Sequence, residues 1–401
     1  MRLVEQHIIK SNNKYYKELK NLCRLSKNLY NATLYEIRQY FFENKKYLSY
    51  PLIDKKFKET NNVDYKSLPA QTAQQTMRVV DSSFRSFFKL LNKKNNGSYN
   101  KSINIPHYLK KDGYFTLIYT GQELGKKLLN GVIRLPRTNI EFHSNKKNIK
   151  QVRFVPPNNH IIMEVIYEAK ESEIKEDNNR YCGIDLGLNN LATVTSNVSK
   201  SYIINGRPVK SINQYYNKKK AYLQSKLKDQ KTSKRIQRLT LKRNNKINDY
   251  FHKASSYIVN QLVSNSINTI IIGHNKDWKQ DINMGSKNNQ SFTSIPHTKL
   301  INQLKYKCKL AGINVICREE SYTSKSSFLD HDPIPNLKDD KISFSGKRIK
   351  RGLYKSGNGC LINADVNGSY NIMRKEVGDV VLPTDRGFVF NPIKINFEIN
   401  F

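Results

Sequence analysis

The first ten residues set Leu3, Glu5, His7 and Ile9 on one side of the chain, the period-two pattern of a half-buried strand with polar neighbours. The period then lengthens to that of a helix. Leu19, Leu22, Ser26, Leu29, Thr33, Ile37 and Tyr40 form one stripe, and a second helix opens at Pro69 with Ala73, Met77, Val80, Phe84, Phe87 and Leu91 on one face. Core packing accounts for both stripes. The opposite face of the second helix carries Gln71, Gln74, Gln75 and Arg78, which suit base edges or phosphates as well as solvent. A polar segment, Asn92 to Asn104, reads as a linker. Short β-rich runs follow at Tyr114–Thr120, Gly131–Pro136, Gln151–Phe154 and His160–Tyr167, punctuated by Gly, Pro and Asn, and they predict a small antiparallel barrel. The charged stretch Glu171–Arg180 has no apolar period and marks a domain boundary.

Beyond it, Tyr181–Leu186 and the alternating Leu191, Thr193 and Thr195 flank a turn at Gly187–Asn190, and Ser201–Pro208 supplies a third strand. A helical region then carries Ile247, Tyr250, Phe251, Ala254, Ile258 and Leu262 at helical spacing. Asn268–Gly273 is a fourth strand, Ser294–Ala311 a helix with Leu300, Leu304 and Cys308, and Ile313–Cys317 a fifth strand running into Arg318, Glu319 and Glu320. Three antiparallel strands followed by helix, strand, helix and strand is the order of a ribonuclease H-like α/β fold.

Charge narrows the partners. The 401 residues are 38% hydrophobic, enough for a real core divided into two or three domains, and 69 Lys+Arg stand against 33 Asp+Glu, a net +36. Codon usage of an AT-rich genome also raises Lys and Asn. No apolar run is long enough to span a membrane and no signal peptide precedes the first strand, so nucleic acid rather than a membrane is the expected polyanion, in a cytoplasmic, nucleoid-associated setting. Five scattered cysteines without a CxxC pair fit a reducing compartment. From Lys218 to Asn248 twelve Lys and Arg, among them Lys234, Arg235, Arg238, Lys242 and Arg243, face one acid, Asp229, an imbalance that favours phosphate contacts over a salt-bridged face.

Two aspartates carry the candidate chemistry. Asp185 lies inside a strand otherwise fit for a core, where an unpaired carboxylate is costly. Asp365 lies in the first turn of a helix within Leu361–Lys375, with Asn363 as its N-cap and Val366, Tyr370 and Ile372 for a buried face. Alone, Asp185 reads as a satisfied edge or turn aspartate, but two such carboxylates far apart in sequence are what a metal site assembled by the fold would need.

The tracts GIDLGLNNLATVTSN, TIIIGHNKDWKQ, EESYTSK and NADVNGSYNIMRK, with VEQHIIK, SKNLYNATLYEIRQ and PAQTAQQTMR earlier, together resemble the TnpB (OrfB) family, transposon-encoded RNA-guided DNA endonucleases with a split RuvC-like domain, related to type V CRISPR effectors and Fanzor proteins. The resemblance implies a wedge-like β-barrel from residues 1–12 and 96–175, a helical recognition insertion at 13–95 and a RuvC-like nuclease domain at 176–401, with a basic helical segment at 210–266 and a reduced insert at 326–360. It implies a guide RNA from the transposon end, a double-stranded target DNA, and two Mg²⁺ ions (or Mn²⁺) that activate water and stabilise the leaving oxygen. Asp185 and Asp365 match the family's first and last catalytic aspartates. The middle glutamate, which ends the fourth strand in most relatives, is missing at Gly273-His274-Asn275. Either the chain is a nuclease-inactive, repressor-like binder, or the acid has moved to Glu320, an arrangement that rearranged-glutamate members share, with Glu319 facing the other way as a solvated or Lys-paired acid and Asp277 as a fallback ligand. The family's zinc ribbon also lacks its cysteines, so no zinc is expected, and Lys347, Arg348, Lys350 and Arg351 in the shortened insert meet the substrate strand or lie on a surface loop. An unguided transposase is the remaining alternative.

Overall fold

Alternation at the N-terminus becomes β1 (Arg2–Lys10), whose alternate residues are exposed while Ile9 is buried. A computed structural model describes residues 1–125, 128, 130–157, 159–228, 232–275, 285–335, 343–379, 383 and 386–398, which fall into two units, Met1–Lys170 and Glu171–Phe401. In the first unit the two amphipathic stripes become α1 (Tyr16–Asn44) and α4 (Ala70–Asn95), with α2 (Tyr50–Glu59) and α3 (Val63–Lys66) between them. Ser26 on α1 satisfies its buried hydroxyl against Thr76 on α4 at 3.0 Å and donates to the Thr116 carbonyl at 3.0 Å, so the helices are pinned as well as packed.

The β-rich runs follow as β2 (Leu117–Thr120), a single-turn helix α5 (Gly121–Leu124), β3 (Val132–Arg134), β4 (Glu141–His143), β5 (Ile149–Val155) and β6 (His160–Glu168). The expected barrel is corrected here. β1, β6, β5 and β2 form an open antiparallel sheet in that order and β3 pairs only with β4, so among the described residues the strands do not close. The three-residue β3 and β4 are too short to bridge the two edges.

The second unit holds β7 (Tyr181–Leu186), β8 (Asn190–Ser196), β9 (Tyr202–Asn205), α6 (Arg207–Gln224), α7 (Lys234–Ser264), β10 (Thr269–Gly273), α8 (Ser286–Thr293), α9 (His297–Leu310), β11 (Asn314–Arg318), β12 (Lys347–Lys350), β13 (Leu353–Lys355), β14 (Leu361–Asn363), α10 (Ala364–Val377) and β15 (Ile393–Ile395). One six-stranded sheet runs β11-β10-β7-β8-β9-β15. β7, β8 and β9 are antiparallel, while β10 is parallel to both β7 and β11. All five residues of β10 are buried because both faces are covered: Ile270 and Ile272 pack with α7 and α9, Ile271 with Tyr370 and Val366 of α10. Among the described residues no helix is long and apolar enough to cross a membrane.

At Gly183 the sheet and α10 come together backbone to backbone. A Cβ on Gly183 of β7 would lie 2.3 Å from the Ser369 carbonyl oxygen and 3.2 Å from Met373 Cβ. Gly183→Ala therefore has to push α10 off the sheet. We expect it to destabilise this unit by about 1–3 kcal/mol, the usual cost of overpacking, seen as a melting midpoint lowered by roughly 2–10 °C; an unchanged midpoint would mean that the helix is not seated through this contact.

Candidate active site

Three neighbouring strands end side by side. β7 and β10 pair as far as Ile184 and Ile272, β10 and β11 as far as Gly273 and Arg318, and the residue after Ile184 is Asp185. Strands about 4.8 Å apart bring groups at their carboxyl ends into one crevice, the usual place for a ligand on a parallel sheet.

Glu320 enters that crevice from two residues beyond β11. Its backbone N–H donates to Asn275 Oδ1 at 3.0 Å, which fixes the turn. A Cβ added to Gly273 would lie 2.7 Å from Glu320 Oε2 and 2.5 Å from Ile372 Cδ1. The Glu320 carboxylate thus occupies the space into which a side chain at position 273 would project. Glu319 turns the other way. It accepts from Lys375 Nζ at 2.7 Å and from the Ser321 N–H at 2.6 Å, and Lys375, on α10, also reaches the Ser321 carbonyl at 3.2 Å. Burial works against the Glu319 charge, but these donors hold its carboxyl below the ordinary range. The pair clamps the backbone next to Glu320.

The third carboxylate arrives on α10. Asn363 caps that helix, its Oδ1 accepting from Asp365 N at 2.9 Å and Val366 N at 3.2 Å, so Asp365 stands at the positive end of the helix dipole. Its oxygens accept from Asn190 Nδ2 at 2.6 Å and Arg348 Nη2 at 3.3 Å. One turn on, Gly368 lets the helix pass over β7: a Cβ there would lie 3.1 Å from Asp185 Oδ2.

Electrostatics mark the cluster. Burial, then the like charges of Glu320 and Asp365, push the Asp185 carboxyl well above its ordinary range, with Arg348 opposing. Burial and then Glu319 push Glu320 up to about 7. Hydrogen-bond donors play no part in the Asp185 shift. Among the described residues no three or more His, Cys, Asp or Glu side chains are drawn close enough to hold a cation as they stand. The donor set nevertheless fits a hard divalent cation by type: carboxylate oxygens from three elements, their mutual repulsion relieved by positive charge. Asp277 lies outside the described residues.

The insert contributes more than a surface loop. β12, β13 and β14 form a small antiparallel sheet that carries Arg348 to Asp365, and Lys347 beside it is exposed. Two aspartates tie its base together. Asp330 accepts from the Ser327 hydroxyl and from the Gly357 N–H at 2.6 Å, and Asp332 from the Ser327 N–H at 2.8 Å and the Ser345 hydroxyl at 2.6 Å.

The remaining expected nucleic-acid contacts divide. Lys234, Arg235, Arg238 and Lys242 are exposed on α7. Arg243 instead donates to Asn213 Oδ1 at 2.8 Å and to the Ser294 carbonyl at 2.6 Å, so it acts as a packing residue. In the first unit Gln71 accepts from the Thr120 hydroxyl, Gln74 donates to Asp54 at 3.3 Å, and Arg78 donates to the Tyr50 hydroxyl at 2.9 Å and stacks over that ring. These three side chains are held by the protein itself, Gln74 and Arg78 by α2 packing on that face and Gln71 by the end of β2; Gln75 is half-buried. Asn190 and Lys375 were not singled out from the sequence. The doubled asparagine after the β7 turn and the lysine closing the α10 motif were the available signals.

Comparison with known proteins agrees with this layout. A family model described as a probable transposase (OrfB_IS605) matches residues 164–279, and a Cas12f1-like TNB domain model matches residues 297–372. A TnpB-like protein, ORF457 of Acidianus two-tailed virus, is 25% identical over 418 residues, covering 91% of this chain and 84% of its own. Among solved structures, the mini-RNA-guided endonuclease CRISPR-Cas_phi3 is similar with a TM-score of 0.50 at 10% identity, over 96% of this chain and 93% of that one. A Cas12f1–sgRNA–target DNA complex is similar with a TM-score of 0.37 at 15% identity, over 92% and 98%. The chain thus carries a transposase-family match and a Cas12f1-like domain match, in that order, in its second unit, and is similar over nearly its full length to a TnpB-like protein.

Proposed function

We propose that this protein is an RNA-guided DNA endonuclease, its guide coming from the transposon end, and that it hydrolyses phosphodiester bonds with two divalent cations. The observation that carries the reading is the Glu320 carboxylate lying against Gly273, in electrostatic range of Asp185. On this view the six-stranded sheet is a ribonuclease H-like, RuvC-type nuclease domain whose third acid is delivered by the edge strand, and the first unit is a wedge and recognition module. Cations bound there would supply a nucleophilic water and stabilise the leaving oxygen.

The protein's own residues do the rest. Asp185, Glu320 and Asp365 hold the charge, Asn190 and the α10 N-terminus orient Asp365, and the Glu319–Lys375 pair positions Glu320. Arg348 neutralises Asp365 in the free protein and stands where a substrate phosphate would be met. The exposed cations of α7 suit the phosphate backbone of RNA or DNA, which supports a nucleoid-associated setting.

Asp185→Ala should abolish cleavage and leave RNA and DNA binding within a few-fold of wild type. Glu320→Gln should be as inactive, since the amide keeps the shape and gives up the charge. Gly273→Ala should also lose cleavage, because its Cβ displaces Glu320. Glu319→Gln should cost only the roughly 10- to 100-fold typical of outer-shell partners. Rates come from single-turnover cleavage of a labelled duplex by protein carrying its copurified RNA. Full cutting by Glu320→Gln would remove the moved-glutamate reading, a wild-type chain that binds but never cuts would favour the repressor-like alternative, and cutting without RNA the unguided one.

Replacing Lys234, Arg235 and Arg238 together by Ala should flatten the slope of log affinity against log salt by up to about three, one for each lost phosphate contact. An unchanged slope would return this face to solvent.

A further inference from the structure

Helices α6 and α7 lie against each other and leave a cleft of about 430 Å³ between them. Its floor is apolar, with Pro208, Ile212 and Leu239, and one edge is cationic, with Lys242 and Lys246. Tyr216 forms a wall. Its hydroxyl meets Thr240 at 3.1 Å and its ring lies under Arg243 at 5.5 Å, so it holds the two helices together.

Tyr215 is different. It also lines the cleft, yet its side is 65% exposed, and among the described residues it makes no hydrogen bond or ring contact. Two helical turns further on, Tyr222 is 52% exposed and flanked by Lys219 at 5.1 Å and Lys226 at 4.9 Å from its ring centroid. A spacing of seven puts both rings on the same side of α6. From Arg207 to Lys228 and from Lys234 to Asn248 the sequence has no Asp or Glu. Core packing does not need two exposed rings on one face, and salt-bridge lacing is ruled out by the missing acids. Aromatic faces interleaved with cations suit a strand whose bases are unpaired, because each base offers a π-face and each linkage a charge.

Resting on the nucleic-acid reading above, we propose that the α6–α7 cleft is a nucleobase site. An unpaired nucleotide of a single-stranded segment lays its base on Tyr215 above Ile212 and Leu239, with the flanking phosphates at Lys242 and Lys246. Tyr222 stacks a further base along the same helix. The site differs from the phosphate contacts of Lys234, Arg235 and Arg238 in reading the base face and in being closed to a duplex, whose bases stack on one another.

The test uses the full chain and fluorescence anisotropy with short labelled oligonucleotides: single-stranded RNA, single-stranded DNA of the same sequence, the matching duplex, and an abasic single strand. Tyr215→Ala should weaken binding of an intact single strand roughly 5- to 100-fold, while Tyr215→Phe keeps the ring and the affinity. The salt slope should not move in Tyr215→Ala, whereas Lys242→Ala should lower it by about 0.7. Neither the duplex nor the abasic strand should sense the loss of the ring. An effect on RNA alone assigns the site to the guide, on DNA alone to an unpaired target strand, and on both to either strand; all three support the site. As a second readout, irradiation of a strand bearing 5-iodouracil should cross-link to the α6 peptide holding Tyr215. Wild-type affinity of Tyr215→Ala for both strands without such a cross-link, or an equal loss on the duplex, overturns the proposal. A chain that binds no nucleic acid at all would instead defeat the proposed function.

Discussion

Everything in the second unit is arranged around a repulsion. Adjacent strand ends and one helix bring Glu320 and Asp365 into electrostatic range of Asp185, where burial and then these two like charges make Asp185 harder to ionise. The neighbours answer this in different ways. Arg348 and Asn190 hold Asp365, Lys375 draws Glu319 aside, and Asp185 is left to whatever positive charge arrives. On the proposed reading such a site would take up divalent cations only with its carboxylates deprotonated.

Bringing the carboxylates together is a problem of space as much as charge. Gly183 lets α10 rest on β7, Gly368 lets it pass over Asp185, and Gly273 leaves room for an acid rooted on another strand. The last of these links sequence to chemistry most directly. Position 273 and residue 320 compete for one volume, so a glycine at the end of β10 is the counterpart of a glutamate beyond β11.

Much of this was legible in the chain. The β7–β8 hairpin, the order of the later strands and helices, and the Asn363 cap with Asp365 behind it follow from periodicity and capping chemistry, and each is present in the structure. The two faces of Glu319 and Glu320 also came out opposed, although the strand ends at Arg318 and the contrast is set by Lys375 and Asn275 rather than by pleat. Other features had weaker signals. α2 was missed despite Pro51 in its first turn and the Ile53–Phe57 spacing, and with it the packing that engages Gln74 and Arg78. The basic tract read as one helical segment is two helices, because their break holds neither Gly nor Pro and only the Ser233 cap announces α7. The β12–β14 sheet depends on hydrogen bonds between distant loops, Asp330 to Gly357 and Asp332 to Ser345, which no local period encodes.

The central claim is that Glu320, supplied from beyond the edge strand, completes a two-cation site with Asp185 and Asp365. Manganese bound to the protein–RNA–DNA complex, followed by electron paramagnetic resonance in wild type and Glu320→Gln, addresses it without relying on turnover. The account predicts a spin-coupled pair of ions in wild type, reduced to a single uncoupled ion in the variant. An equally coupled pair in Glu320→Gln would contradict it.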